Sequence, residues 1–287
     1  MAESLSASIG VNRRLKKRLV VNADDFGFTR DVNEGIVEAH LKGILTSTTL
    51  MANGAAFEHA LRLAERTPSL DIGCHLVLIG GRSLLPPHAP LPSSVPQLLA
   101  RIAARQIHIH DEMAAQVRRI IAAGIRPTHL DTHKHTHLAP PVLAALARIG
   151  REFDIRWVRR PFDLPRTAAR GAAPWVLRLT SDGLGALRRR FHRVLASHGC
   201  LTTDHFAGFQ LTGRLRTPEL VRLIRSLPEG LTEFMCHPGR CGAELRRART
   251  RLKDSREAEL AALTAPETRA ALEECGVELV SYCSLEC

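Results

Sequence analysis

The segment Arg18–Gly27, RLVVNADDFG, sets the reading of the whole chain. Its short apolar run around Val20 and Val21 has the composition of a buried strand, and it ends at two adjacent carboxylates, Asp24 and Asp25. A helix is expected over Asp31–Lys42, with Val32, Ile36 and Ala39 at helical spacing and Gly43 as its stop. Outward from there the pattern alternates. A strand is expected at 44–51 (ILTSTTLM), a helix at 55–66 closed by Pro68, and a third strand at 70–79 (LDIGCHLVLI). Five prolines at 86, 87, 90, 92 and 96 predict a loop over Gly80–Pro96, because proline fixes φ and removes a backbone donor. Helical pattern resumes over 111–123. Strand four is expected at 127–131, a helix at 142–153, strand five at 155–159 and a loop at 161–174. Helices at 185–198 and 217–226 and strands at 231–236 and 277–281 complete the series. This order predicts an α/β fold with mostly parallel strands and helices outside them, open or closed into a barrel.

Composition narrows the class. A chain of 287 residues suits one α/β barrel domain, and with 45% hydrophobic residues and no apolar run of membrane-spanning length it reads as soluble, without an integral membrane span. Met1–Asn12 lacks the apolar core of a secretory signal, which predicts a cytoplasmic protein. Seven scattered cysteines without a CxxC pair predict reduced thiols, with Cys283 and Cys287 in a frayed tail. The net charge of +11, with the arginine runs at 188–190 and 246–251, would suit a nucleic-acid or anionic-lipid partner. Only five of the 40 basic residues are lysine and aromatics are 4% of the chain, which favours a compositional bias and no nucleic-acid partner.

Metal-competent side chains sit at or near the ends of three predicted strands. They are Asp24 and Asp25 after the first, His75 in the third, and the alternating run His129-Leu-Asp131-Thr-His133-Lys-His135-Thr-His137 at and after the fourth. His237 follows the late strand LTEFMC. Parallel strands bring their C-terminal ends to one mouth, where α/β folds place active sites. Singly, His75 could be a core histidine, the aspartates helix caps, and the 129–137 run one face of an extended segment. Together they point to a divalent metal. Two like charges at one strand end repel unless a cation or a shared proton separates them, so one aspartate can ligate while its neighbour acts as base. A His, His, Asp set leaves coordination positions open for water and substrate. The DFG at 25–27 is not a kinase motif, since the elements that precede it in kinases cannot fit in 24 residues, and no GxSxG or GK[ST] occurs. A phosphoesterase with the same ligands, or a basic binder of nucleic acid or anionic lipid with a structural metal, are the alternatives.

NADDFG at 22–27, ILTSTT at 44–49, GCHLVL at 73–78, THLDTHKHTH at 128–137 and MCHP at 235–238 resemble, in order, the YdjC-like carbohydrate deacetylases. The resemblance implies a single-domain distorted (β/α) barrel of the polysaccharide-deacetylase type over 18–287, behind a basic tail at 1–17. It implies a metal-dependent N-deacetylase of N-acetylated amino sugars, a small sugar or glycolipid substrate, and room for a homodimer. One divalent metal would be held by Asp25, His75 and His133, with Asp24 as general base and a protonated His237 as general acid. Family precedent leans to Mg²⁺, whereas imidazole donors suit Zn²⁺, Fe²⁺ or Mn²⁺. His135, His137 and Arg159 are second-rank candidates for orienting ligands or holding sugar hydroxyls. The segments 202–213 and 227–239 look like the hopanoid-associated HpnK branch, implying an acetylglucosaminyl lipid, whereas Asp131-Thr-His133 resembles the Asp-Ser-His of the chito-oligosaccharide ChbG branch.

Overall fold

The structure, a computed structural model, describes residues 16–164 and 188–285. Its strands are β1 (Lys17–Phe26), β2 (Ser47–Leu50), β3 (Asp71–Leu76), β4 (His129–Thr132), β5 (Trp157–Val158), β6 (His205–Ala207), β7 (Gly230–Cys236) and β8 (Glu278–Leu279). They form one parallel sheet in the order β5-β4-β3-β2-β1-β7-β6, and β8 pairs with Arg18 and Leu19 of β1, below the point where β2 joins at Asn22. Isolated parallel bridges from Trp157 to Leu201 and from Asp163 to Phe206 cross between the β5 and β6 sides, so the sheet curls into the distorted barrel that the resemblance implies.

Ten helices are described: α1 (Arg30–Lys42), α2 (Phe57–Arg66), α3 (Val95–Ala103), α4 (Ile109–Ala122), α5 (Pro140–Glu152), α6 (Arg188–Ala196), α7 (Thr217–Arg225), α8 (Ala243–Arg247), α9 (Asp254–Thr264) and α10 (Pro266–Glu274). The strand period of two sorts β1 by face. Leu19, Val21 and Ala23 join Val32, Ile36 and Ala39 of α1 and Val142, Leu146 and Ile149 of α5 in one continuous core. On the other face, Val20 packs with Leu231 and Tyr282 as an apolar floor. Asn22 comes next, hydrogen-bonded to Glu233 and His129, and His129 stacks on Tyr282 at 4.1 Å. Asp24 completes this face at the mouth. Burial of apolar area in the surrounding core, at about 25 cal/mol per Å², stabilises the frame that holds these polar layers.

Several expectations are corrected. The proline-rich stretch is not loop throughout: α3 starts at Val95, where Ser94 accepts from the Gln97 N–H and Pro96 lies in the first turn, a position whose N–H has no helical partner anyway. The 129–137 run is not an extended face. The chain leaves β4 at Thr132 and turns through His133–Leu138, with left-handed Lys134 (φ 56°) and His135 (φ 50°). β6 and α8 to α10 had no clear sequence signal. In α9 two of the buried positions are Arg256 and Glu259, so the apolar periodicity that marks a helix is interrupted. The C-terminal segment is docked rather than frayed, with Tyr282 buried and the Cys283 N–H donated to Asp71 at 3.0 Å. Cys287, the loop at 165–174 and the start of the basic helix at 185–187 lie outside the described residues. Cys74, Cys200, Cys236, Cys241 and Cys275 carry free thiols, and no helix among the described residues is long and apolar enough to cross a membrane.

The approach of β3 to β4 is tight. A Cβ at Gly73 would sit 2.4 Å from the His129 carbonyl oxygen, closer than any side chain tolerates. Gly73→Ala should therefore destabilise the fold by about 1–3 kcal/mol, measured as a lower midpoint in urea unfolding.

Candidate active site

β1 runs through both carboxylates. A register shift against β2 between Ala23 and Phe26, with Asp25 at φ 73°, forms a bulge that turns the two side chains to different neighbours. Aspartate is among the few residue types that visit this left-handed region without great cost. Asp25 points towards β3 and β4. Its Oδ1 lies 3.4 Å from His75 Nε2 and 3.3 Å from His133 Nδ1, and those two nitrogens are 3.2 Å apart. Oδ1 is buried and has no hydrogen-bond partner. Donor atoms around a cation held at about 2.0–2.2 Å are spaced about 3.0–3.4 Å, so this trio fits a divalent metal. The other Asp25 oxygen accepts from Arg256 Nη2 at 2.5 Å.

The orientation of His75 is fixed from behind. Its Nδ1 donates to Asp131 Oδ1 at 2.7 Å, and the Thr49 hydroxyl donates to Asp131 Oδ2 at 3.1 Å, which leaves Nε2 turned to Asp25. Burial opposes a charge on His75, but Asp131 and Asp25 push its pKa up to about 10. Burial likewise opposes the charge on Asp25, yet Arg256 and the facing imidazoles hold it well below the usual carboxylate range. His133 is shifted down by burial, which favours the neutral imidazole that a metal needs.

Asp24 points the other way, to Arg159. Arg159 Nη1 and Nη2 meet its two oxygens at 2.8 and 2.7 Å, Nη1 also reaches Asp131 Oδ2 at 2.6 Å, and Nε donates to Glu233 Oε1 at 2.7 Å. Three buried carboxylates from β1, β4 and β7 thus share one guanidinium. Burial raises Asp24 to about 7 against the pull of Arg159, whereas Asp131, bonded to both Arg159 and His75, is lowered. A pKa near 7 suits a base working at neutral pH. A second triad, Asp24, His75 and Asp131, is also spaced for a cation. It is the weaker site, because Arg159 lies between its carboxylates and His75 turns its other nitrogen to Asp131.

His237 follows β7, and its Nε2 lies 3.8 Å from Asp24 Oδ2. Burial pushes its pKa down to about 3, which favours the neutral imidazole. The structure brings Asp24, Asp25, His75, His133 and His237 to one mouth. Arg159 belongs there as the partner of the carboxylates and is buried beneath them. His135 and His137 stand aside among Phe206, Phe209 and Phe191, and burial lowers both pKa values. Sequence reading places Asp131 among the metal-competent side chains without singling it out, and assigns no role to Glu233 or Arg256. An acidic residue inside the apolar strand GLTEFMC was a usable sign of a buried partner, whereas nothing local marks Arg256.

Fold and site define a parallel (β/α) barrel protein with a two-histidine, one-aspartate centre at its strand mouth. Residues 18–274 match the YdjC-like protein family, and the chain belongs to it. A carbohydrate deacetylase from Brevibacillus brevis is 33% identical over 281 residues, covering 93% of this chain and 99% of that one. A chitooligosaccharide deacetylase from Serratia marcescens is 32% identical over 282 residues, with 93% and 99% coverage. A crystal structure from Enterococcus faecalis, of a protein assigned provisionally to cellobiose-phosphate cleavage, superposes with a TM-score of 0.73 at 25% identity, covering 94% of this chain and 99% of that one.

Removing the shared guanidinium strands three buried charges. Arg159→Met should cost about 3–5 kcal/mol in urea unfolding, and Arg159→Lys should recover only part of it, because an ammonium lacks the planar fork that spans three carboxylates.

Proposed function

We propose that this chain is an N-deacetylase of N-acetylated amino sugars that works with one divalent cation held by Asp25, His75 and His133. The observation that carries the reading is the buried, unpartnered Asp25 Oδ1 facing two imidazole nitrogens, with Asp24 and His237 beside it. The family and its carbohydrate deacetylase relatives support the substrate class. Chito-oligosaccharides and acetylglucosaminyl lipids are the two substrates to compare. A phosphoesterase has less support, because the arginines at the site, Arg159 and Arg256, are each tied to carboxylates.

A bound cation would acidify water and polarise the acetamide carbonyl. Asp24 accepts the proton that water loses as its oxygen adds to the carbonyl carbon, and Arg159 holds that carboxylate in place. His237, as general acid, delivers a proton to the departing nitrogen, and its Nε2 lies 3.8 Å from Asp24 Oδ2. The C–N bond breaks, acetate leaves, and the amino sugar keeps the proton. One water is consumed.

Asp24→Asn should lower acetate release by at least about 10²-fold while metal content stays near that of the unmodified chain. Asp25→Asn or His133→Ala should instead lower metal content itself, measured by elemental analysis beside the acetate assay. An Asp24→Asn chain with undiminished turnover would contradict the assignment of the base.

A further inference from the structure

The turn after β7 is tied to α9 at every second residue. The His237 N–H donates to Glu259 Oε2 at 2.6 Å, the Gly239 N–H to the Arg256 carbonyl at 3.2 Å, and the Cys241 N–H to Glu257 Oε1 at 3.0 Å. Glu259 is buried, and its second oxygen accepts the Gly213 N–H at 3.3 Å, in the segment between β6 and α7. One carboxylate therefore joins two loops at the barrel mouth. Both contacts come from N–H donors, so the group serves them only as an acceptor, and an amide or a carboxylic acid there would turn a donor towards one of them.

The side chain of His237 has no comparable support. Its Nδ1 is buried without a hydrogen-bond partner, and Nε2 has only the 3.8 Å approach to Asp24. Ring position is thus set from the main chain, and the shortest contact on that main chain is the one to Glu259.

We propose that Glu259 is a positioning residue for the reaction: by holding the His237 N–H and the Gly213 N–H together, it places the His237 imidazole where it can pass a proton to the leaving nitrogen. This rests on the reading of His237 as the proton donor. Glu259 lies outside the candidate cation groups and acts through the backbone N–H of His237. Arg256, one helical turn earlier on α9, reaches Asp25 on β1, so the same helix sets both the ligand strand and the donor turn.

The test compares Glu259→Gln and Glu259→Asp with the unmodified chain and with His237→Gln, each alone and combined. In the unmodified background Glu259→Gln should lower kcat for acetate release from a chito-oligosaccharide about 10- to 100-fold with little change in KM. In the His237→Gln background the same substitution should cost less than about twofold, because the group it positions is already gone. Glu259→Asp, too short to bridge both N–H groups, should fall between. Equal losses in both backgrounds would mark a merely structural role and overturn the proposal. Nuclear magnetic resonance of the His237 backbone amide and ring supplies a readout free of activity: both should shift in either Glu259 variant, and an unmoved ring overturns the proposal. If the unmodified chain releases no acetate from any N-acetylated sugar, the deacetylase reading fails, while the ring resonances still decide whether Glu259 places His237.

Discussion

The barrel mouth depends on one buried guanidinium. Arg159, at the end of β5, gathers Asp24 from β1, Asp131 from β4 and Glu233 from β7. Desolvating so many charges is costly, and attraction in a low-dielectric interior offsets it only when geometry and hydrogen bonding are nearly complete. The planar fork of arginine meets that condition where a point charge would not. Three strands are thereby fixed to each other at the end where chemistry is expected, and the apolar floor of Val20, Leu231 and Tyr282 closes the opposite end.

A second arginine divides the labour of the aspartate pair. The two carboxylates look in the sequence like charges that a cation or a shared proton must separate, yet each has its own guanidinium: Arg159 for Asp24 and Arg256 for Asp25. The case for a cation rests instead on a single oxygen. Arg256 occupies Asp25 Oδ2, and Oδ1 is left buried among imidazole nitrogens with nothing to accept. The environments also separate the two acids: Asp25 is held ionised, as a ligand must be, and Asp24 is raised to about 7, as a base requires.

Much of this was legible in the chain. The apolar run at Val20–Val21 and the alternation after it gave the parallel sheet, and polar residues at strand ends located the mouth. Structure was harder to read where charged side chains point inward. Arg256 and Glu259 occupy core-facing positions of α9, which hides the helix and its function together. The histidine run at 129–137 keeps period two, which would suit one face of an extended segment, but backbone turning at Lys134 and His135 sends His133 to the metal-competent trio and His135 and His137 into an aromatic cluster. Side-chain alternation is informative only while the backbone stays extended.

The central claim is that Asp25, His75 and His133 hold the cation. Anomalous diffraction at the zinc edge from crystals of the full chain grown with Zn²⁺ tests it most directly. One strong peak is expected about 2.0–2.2 Å from Asp25 Oδ1, His75 Nε2 and His133 Nδ1. A peak between Asp24 and Asp131, with Arg159 displaced, or no peak at the barrel mouth, would contradict it.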